Sequence, residues 1–377
     1  MKILYLANAR IPSRTANSIQ VMKVSAALAS LGHEVELVVP RFHGRPAETH
    51  GLEEHYGVRG GFRVRWLAGW RLLGRVAWEG LAAAHALRSR ADLFVTRNER
   101  VAWTLARAGR ATVLEVHQPP AKHLDRWAMD ALAATPGLRL VVVISEALRR
   151  RLVAAHPTLG TTRALVEHDG VDLARFAGGP SAPEARARLG WPETPLTAGY
   201  AGHLYAGRGV DLVLELAGRF PLMAFRLMGG EPEAVERVRE EARDRRLANV
   251  TLHGFVANQE LPLHLAACDV LLMPYGKRVE ASGGAETGGF ASPLKLFEYM
   301  AARRAILASR LPGVLEVLDE ENALLCEPDD PASWAAALER ARDPALREGL
   351  AARARADVEP YAWERRMERI LEAAGFR

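Results

Sequence analysis

The sequence predicts an α/β architecture of two successive doubly wound domains, and three observations predict it. The chain opens on a short apolar strand at residues 3–7, a polar loop, a helically spaced segment and a second strand at 35–39. The same alternation starts afresh with a strand at 196–201. Between the two series, residues 177–195 carry four prolines among small residues and read as a domain linker. With 377 residues and 49% hydrophobic content, the chain is long enough to bury two cores.

Composition narrows the classes of function. The formal charge is +5 and the pI about 9.4, with arginine supplying nearly all the positive groups. That balance suits an anionic ligand or an anionic membrane surface; the absence of long like-charged runs speaks against nucleic acid. The two cysteines, Cys268 and Cys326, stand in apolar surroundings. They exclude a disulfide framework and speak against a cysteine metal site. The first twelve residues are too short and too little charged for a signal peptide, and no window approaches the roughly 18 apolar residues of a spanning helix. A cytoplasmic location is the expectation.

Residues 8–17, with Arg10, Pro12, Ser13 and Arg14, lie at the carboxyl end of the first strand, where doubly wound sheets bind ligands. A loop this long is unusual in a βα unit and reads as a substrate contact. Residues 18–31 have helical spacing (Ile19, Met22, Leu28, Leu31) and stop at Gly32, a natural C′ residue. Residues 62–90 are rich in arginine and tryptophan (Arg63, Arg65, Trp66, Trp70, Arg71, Arg75, Trp78), with a helix expected over 72–87. That helix is either a surface helix with snorkelling arginines or one lying on an anionic bilayer. Strands follow at 93–96, 111–116 and 138–144, placing His117 and Ser145 directly after strands at the ligand edge.

In the second series a glycine-bearing loop, 202–209, joins a strand to a helix from 210, and Arg208 stands near the helix start. Such loops cradle phosphate, although this one matches neither a P-loop nor a dinucleotide fingerprint. The pattern repeats at 223–228 with Gly229-Gly230, a charged helix over 232–246, strands at 250–253 and 270–273, and a helix over 261–267. Residues 282–300, SGGAETGGFASPLKLFEYM, run from a glycine-rich loop into an amphipathic helix. Ser292 is the expected N-cap and Pro293 the first helical residue. Lys295 strengthens the field of the helix start, and Glu298 lies on the same face. This turn could hold a pyrophosphate beside a sugar hydroxyl; a capped helix with a solvated Lys/Glu pair is the alternative. A strand at 305–309, a helix near 313–318 and three terminal helices, the last over 363–374, complete the chain.

Several segments together resemble the retaining glycosyltransferases of family four, on the GT-B fold. The resemblance rests on SPLKLFEYMA followed by LPGVLEVL, on GHLYAGRGVD, LHGFV, MPY and the terminal YAWERR…IL, and in the first half on GVDLARF, VVISEAL and RIPSRTANSIQVMK. It implies two Rossmann-like domains facing a cleft: an acceptor-binding domain over 1–178, a nucleotide-sugar-binding domain over 179–360, and a terminal helix, 361–377, crossing back. Glu298 matches the glutamate that holds the donor ribose, and Ser292, Pro293, Leu294 and Lys295 match the pyrophosphate cradle. Arg208 matches the cradle lysine, and Gly254, Phe255 and Val256 the base-binding edge. His117 matches a histidine near the transferred sugar, and Asn17 and Ser18 fall in the substrate-binding opening.

Two positions depart from the family pattern. His203 stands where a cradle arginine is expected, and Phe290 where a second, sugar-contacting glutamate is expected. Glu286 is a candidate substitute for the latter. The implied activity is transfer of a sugar from a nucleoside-diphosphate sugar, a co-substrate rather than a cofactor, to an unidentified glycan, lipid or small-molecule acceptor. Retention of configuration, no metal, no nucleic acid, and a place in envelope or polysaccharide synthesis complete the expectation, with peripheral membrane contact as an added one. A nucleotide-sugar epimerase of the same fold and a catalytically degenerate sugar-nucleotide-binding protein are the alternatives. An oxidoreductase is disfavoured, because no G-x-G-x-x-G follows the first strand.

Overall fold

A computed structural model describes every residue except 43–48, 69, 162, 206, 279–288 and 377. The chain divides into two compact units, Met1–Gly170 with Trp363–Arg377, and Val171–Ala362. The second unit starts before residue 179 because Val171 and Phe176 belong to its core, with Leu296 and Phe297.

In the first unit the order is β1 (Lys2–Leu6), α1 (Ala16–Ser30), β2 (Glu34–Pro40), α2 (Thr49–Tyr56), β3 (Phe62–Leu67), α3 (Trp70–Arg88), β4 (Leu93–Thr96), α4 (Glu99–Arg107), β5 (Thr112–Val116), α5 (His123–Leu132), β6 (Leu138–Val143), α6 (Glu146–Ala155) and β7 (Ala164–Val166). The strands form one sheet in the order β3-β2-β1-β4-β5-β6-β7, all parallel. Strand order reverses between β1 and β4, so their carboxyl ends flank a topological switch point.

Two features of the 62–90 segment emerge here. Residues 62–67 are an edge strand: FRVRWL alternates arginine with apolar residues, the pattern of a half-buried strand. Trp78 is not available to a bilayer. It is fully buried against Leu4, Leu6, Phe94 and Leu105, and the indole of Trp66 donates to the Ile11 carbonyl at 3.2 Å.

The second unit runs α7 (Ala182–Leu189), β8 (Thr197–Ala201), α8 (Val210–Arg219), β9 (Ala224–Met228), α9 (Pro232–Asp244), β10 (Val250–Gly254), α10 (Leu261–Ala266), β11 (Val270–Met273), α11 (Leu294–Ala301), β12 (Ala305–Ser309), β13 (Leu324–Cys326), α12 (Pro331–Arg340) and α13 (Pro344–Asp357). Its sheet is parallel in the order β10-β9-β8-β11-β12-β13. The last helix, α14 (Trp363–Ala373), packs on α1 in the first unit.

The proline-rich stretch expected as a linker contains α7. Ser181 and Glu184 form a capping box, a proline sits in the first turn, and Gly190 closes the helix in the left-handed conformation. Ala185 then packs against Ala266 and Ala267. Residues 313–318 form consecutive turns, not a helix, since their bonds alternate between three- and four-residue spacing. Both cysteines are buried, and burial pushes each thiol up to about 12. Among the described residues no helix is long and apolar enough to cross a membrane.

Candidate active site

In the second unit, the carboxyl ends of β8, β9, β10 and β11 meet the start of α11. Their backbones approach so closely that side chains are excluded. Gly229 has φ +110°, and a Cβ there would lie 2.2 Å from the Gly202 carbonyl oxygen. At Gly209, which caps α8 with φ +75°, it would lie 1.8 Å from the Pro274 oxygen. The amide of Gly229 donates to the Gly254 oxygen at 2.6 Å, tying β9 to the β10 edge. Helix α11 is pinned to this rim by Tyr299, which is buried. Its hydroxyl accepts from the Ala201 amide at 2.7 Å and donates to the Leu272 carbonyl at 3.3 Å.

Helix α11 begins one residue later than expected. Pro293 is the N-cap with an extended ψ of 126°, and it supplies no side-chain cap bond; Ser292 is buried ahead of it. From the first turn Lys295 donates to Glu298 Oε2 at 2.7 Å. Arg175 reaches the other carboxylate oxygen, Oε1, at 3.5 Å and also donates to the Asn258 carbonyl. Glu298, only 8% exposed, is therefore set between two cations, one of which ties it to the loop after β10. At the end of β10 Gly254 has φ +67°; in the loop after it Phe255 is exposed, and Val256 packs on the core.

Arg208 lies over the Tyr275 ring, 4.7 Å from its centroid, and Tyr275 lines a small depression with Ala291, Pro293 and Gly313. Arg208 thus shares the neighbourhood of the α11 start. His203 stacks on Tyr205 with centroids 4.8 Å apart. Burial, then Arg208 and Lys295, push the His203 imidazole below its ordinary value, with Glu231 opposing, so this position brings no permanent cation. Phe290 is 2% exposed and turned into the core, so it cannot offer a sugar contact. Glu286 lies outside the described residues.

In the first unit a polar network occupies the switch point. Arg97, after β4, donates to Asn17 Oδ1 at 2.5 Å and to Gln20 Oε1 at 2.9 Å, and Asn17 donates to the Asn8 carbonyl at 3.1 Å. Gln20 Nε2 reaches Glu115 Oε1 at 2.8 Å; His117 Nε2 is 3.0 Å from the same oxygen, and Arg366 of α14 donates to it at 2.6 Å. Burial would raise the Glu115 carboxyl, but Arg366, His117 and Arg97 outweigh it and hold it well below the usual range. Burial and then Arg97 lower the His117 imidazole despite Glu115. Ser18, expected to touch substrate, is fully buried. Its hydroxyl bonds Ser13 and Thr15, shaping the loop that leads into α1. Asn17 remains partly exposed.

Among the described residues, Glu115, His117 and Asp169 form a group whose nitrogen and oxygen atoms lie within 4.8 Å of one another. The set fits a metal ion poorly. Glu115 Oε1 already faces three donors, and a cation would meet the Arg366 and Arg97 guanidinium groups.

Sequence reasoning missed Gln20, Arg97, Glu115, Arg175 and Arg366. Glu115 carried a signal, a lone carboxylate in the fully buried strand TVLEV. Arg366 lies in the YAWERR segment of the resemblance, but its partner, 251 residues away, could not be read from it.

The model described as Glycosyltransferase Family 4 matches residues 18–175, and that described as Glycosyl transferases group 1 matches 195–343. The D-inositol 3-phosphate glycosyltransferase of Kineococcus radiotolerans is 28% identical over 246 residues, 62% of this chain and 56% of that protein. The chain spans about half the length of the curated relatives it matches. Among solved structures, sucrose-phosphate synthase of Thermosynechococcus elongatus superposes with a TM-score of 0.76 at 18% identity, covering 99% of this chain and 98% of that one. HepE of Anabaena, solved in complex with UDP, gives 0.75 at 18% identity over 100% of both chains. Between them the two models take in most of the chain, in the family's order and on a matching fold. The chain therefore belongs to glycosyltransferase family 4, the glycosyl transferases group 1, on the GT-B fold.

Proposed function

We propose that this chain is a retaining glycosyltransferase that takes a sugar from a nucleoside-diphosphate sugar held by the second unit and delivers it to an acceptor held by the first. The observation that carries the reading is the α11 start, where Lys295 and the buried Glu298 stand together in the neighbourhood of Arg208. Glu298 suits the vicinal diol of a ribose. Lys295, Arg208 and the first-turn amides of α11 suit a diphosphate. The backbone of 254–256 would take the base. Catalysis is then mainly electrostatic: fixed positive groups favour the charge that develops on the departing diphosphate, and the scheme requires no metal. His117 is assigned to the transferred sugar, and Asn17 to the acceptor side. A cytoplasmic enzyme of envelope or polysaccharide assembly is the context we propose.

A nucleotide-binding protein without turnover is a second reading, favoured by the uncharged His203 and the buried Phe290. The test is release of free nucleoside diphosphate from a panel of nucleotide sugars, with UDP-glucose first because HepE of Anabaena was solved with it. Release that depends on an added acceptor supports transfer. Interconversion of the sugar without release indicates an epimerase, and binding without either indicates the degenerate form.

A further inference from the structure

The C-terminal helix brings one side chain into the first unit's site. Arg366 is 1% exposed, and three of its contacts face the switch point: the His168 carbonyl at 2.6 Å, the Glu167 carbonyl at 3.4 Å and Glu115 Oε1 at 2.6 Å. Glu115 in turn contacts His117 Nε2 at 3.0 Å. A buried carboxylate that accepts from a guanidinium stays ionised, and an ionised carboxylate can only accept. The proton of the Glu115–His117 contact therefore belongs to Nε2, and the neutral imidazole keeps Nδ1 as its acceptor. Without Arg366, Glu115 would be a buried charge short of its strongest partner, free to take a proton and donate it to the ring.

We propose that Arg366 is a positioning residue, which holds Glu115 as an acceptor and so fixes His117 in the Nε2–H tautomer. The charged groups acting on His117 come from several elements: Glu115 on β5, Arg97 after β4, Asp169 after β7 and, through Glu115, Arg366 on α14. Arg366 is the one that arrives from the end of the chain, so the terminal helix serves the site as well as covering α1. The functional part of this inference rests on the glycosyltransferase reading of His117; the tautomer part does not.

The experiment compares Arg366→Gln, Arg366→Lys and Arg369→Gln in the full chain. Arg369 is a control on the same helix: it pairs with both Glu167 carboxylate oxygens at 2.7 Å. Nitrogen-15 NMR of the histidine rings reads the His117 tautomer directly. The wild type and Arg369→Gln should show protonated Nε2 and bare Nδ1; Arg366→Gln should shift the ring toward Nδ1–H or a mixture, and Arg366→Lys should restore the wild-type pattern. Turnover in Arg366→Gln should fall in kcat by about tenfold or more, at the scale seen when the partner orienting a metal-ligating histidine is lost, with KM for the donor little changed. If Arg366→Gln does not fold, the wild type alone keeps the proposal falsifiable: a His117 ring protonated at Nδ1 and bare at Nε2 overturns it. An unaltered tautomer in folded Arg366→Gln, or an equal change in Arg369→Gln, also overturns it. A tautomer change with no transferase activity in any variant or the wild type leaves the positioning role standing and sinks the transfer reading instead.

Discussion

Glu298 has both carboxylate oxygens engaged, Oε2 with Lys295 at 2.7 Å and Oε1 with Arg175 at 3.5 Å. A ligand diol can join such a carboxylate without moving it, because its position is already set. Glu298→Gln should therefore weaken nucleoside diphosphate binding by about 1–3 kcal/mol, the scale of a charged hydrogen bond. Calorimetric titration checks this, and wild-type affinity would remove Glu298 from the site. Arg208→Ala should weaken nucleoside diphosphate more than the parent nucleoside; equal losses would show that Arg208 does not serve phosphate. Glu298 and Arg208 were legible because their residue types sit where the chain pattern already demands anion chemistry. Arg175 was not, since nothing local says that an arginine in GVDLARF turns toward a helix more than a hundred residues on. Phe290 is the reverse case. The sequence marks its departure from the family, but only the structure shows that the side chain is buried.

Helix α11 is held by the Tyr299 hydroxyl, which satisfies the Ala201 amide. Tyr299→Phe leaves that buried N–H without its acceptor and should cost about 1–3 kcal/mol of stability, read as a lower denaturation midpoint at unchanged m. Helix α14 makes a larger claim. Truncation before Trp363 removes Arg366 together with the buried Trp363, Met367, Ile370 and Leu371, and should cost at least the roughly 3–5 kcal/mol of a broken buried pair in the first unit. A truncated chain of wild-type stability would contradict the buried pair. At this scale most strands and helices were readable from period and caps, but β3, β7 and β13 and helices α2 and α4 to α7 were not. The misses have physical causes. Residues 62–67 hide a strand behind arginines that face outward, and α7 hides in a stretch whose prolines suggested a linker, although its Ser-x-x-Glu box was written there.

For the molecule as a whole, the doubly wound pattern was visible in the order of strands, loops and helices, while the networks at both carboxyl edges depend on contacts between distant segments. Acid should act on the second unit through His253. Burial, then Arg226 and His264, lower its imidazole to about 4, and it also stacks on Trp191. The unfolded chain binds the proton first, so this contribution is complete above pH 6.5 and is lost as pH falls from there toward 4. Protection factors of β9 and β10, taken from exchange rates corrected for their intrinsic pH dependence, should fall over that window in the wild type, and less in His253→Gln. An identical response in both would show that His253 is not the sensor. The central claim, a nucleoside diphosphate held at the start of α11, is tested most directly by thermal unfolding of the wild type and Glu298→Gln with UDP, GDP and ADP. At about 100 times its Kd the right diphosphate should add roughly 2.7 kcal/mol to the wild type, and clearly less to the variant at the same concentration. No stabilisation by any of the three, or equal stabilisation of both proteins, would contradict it.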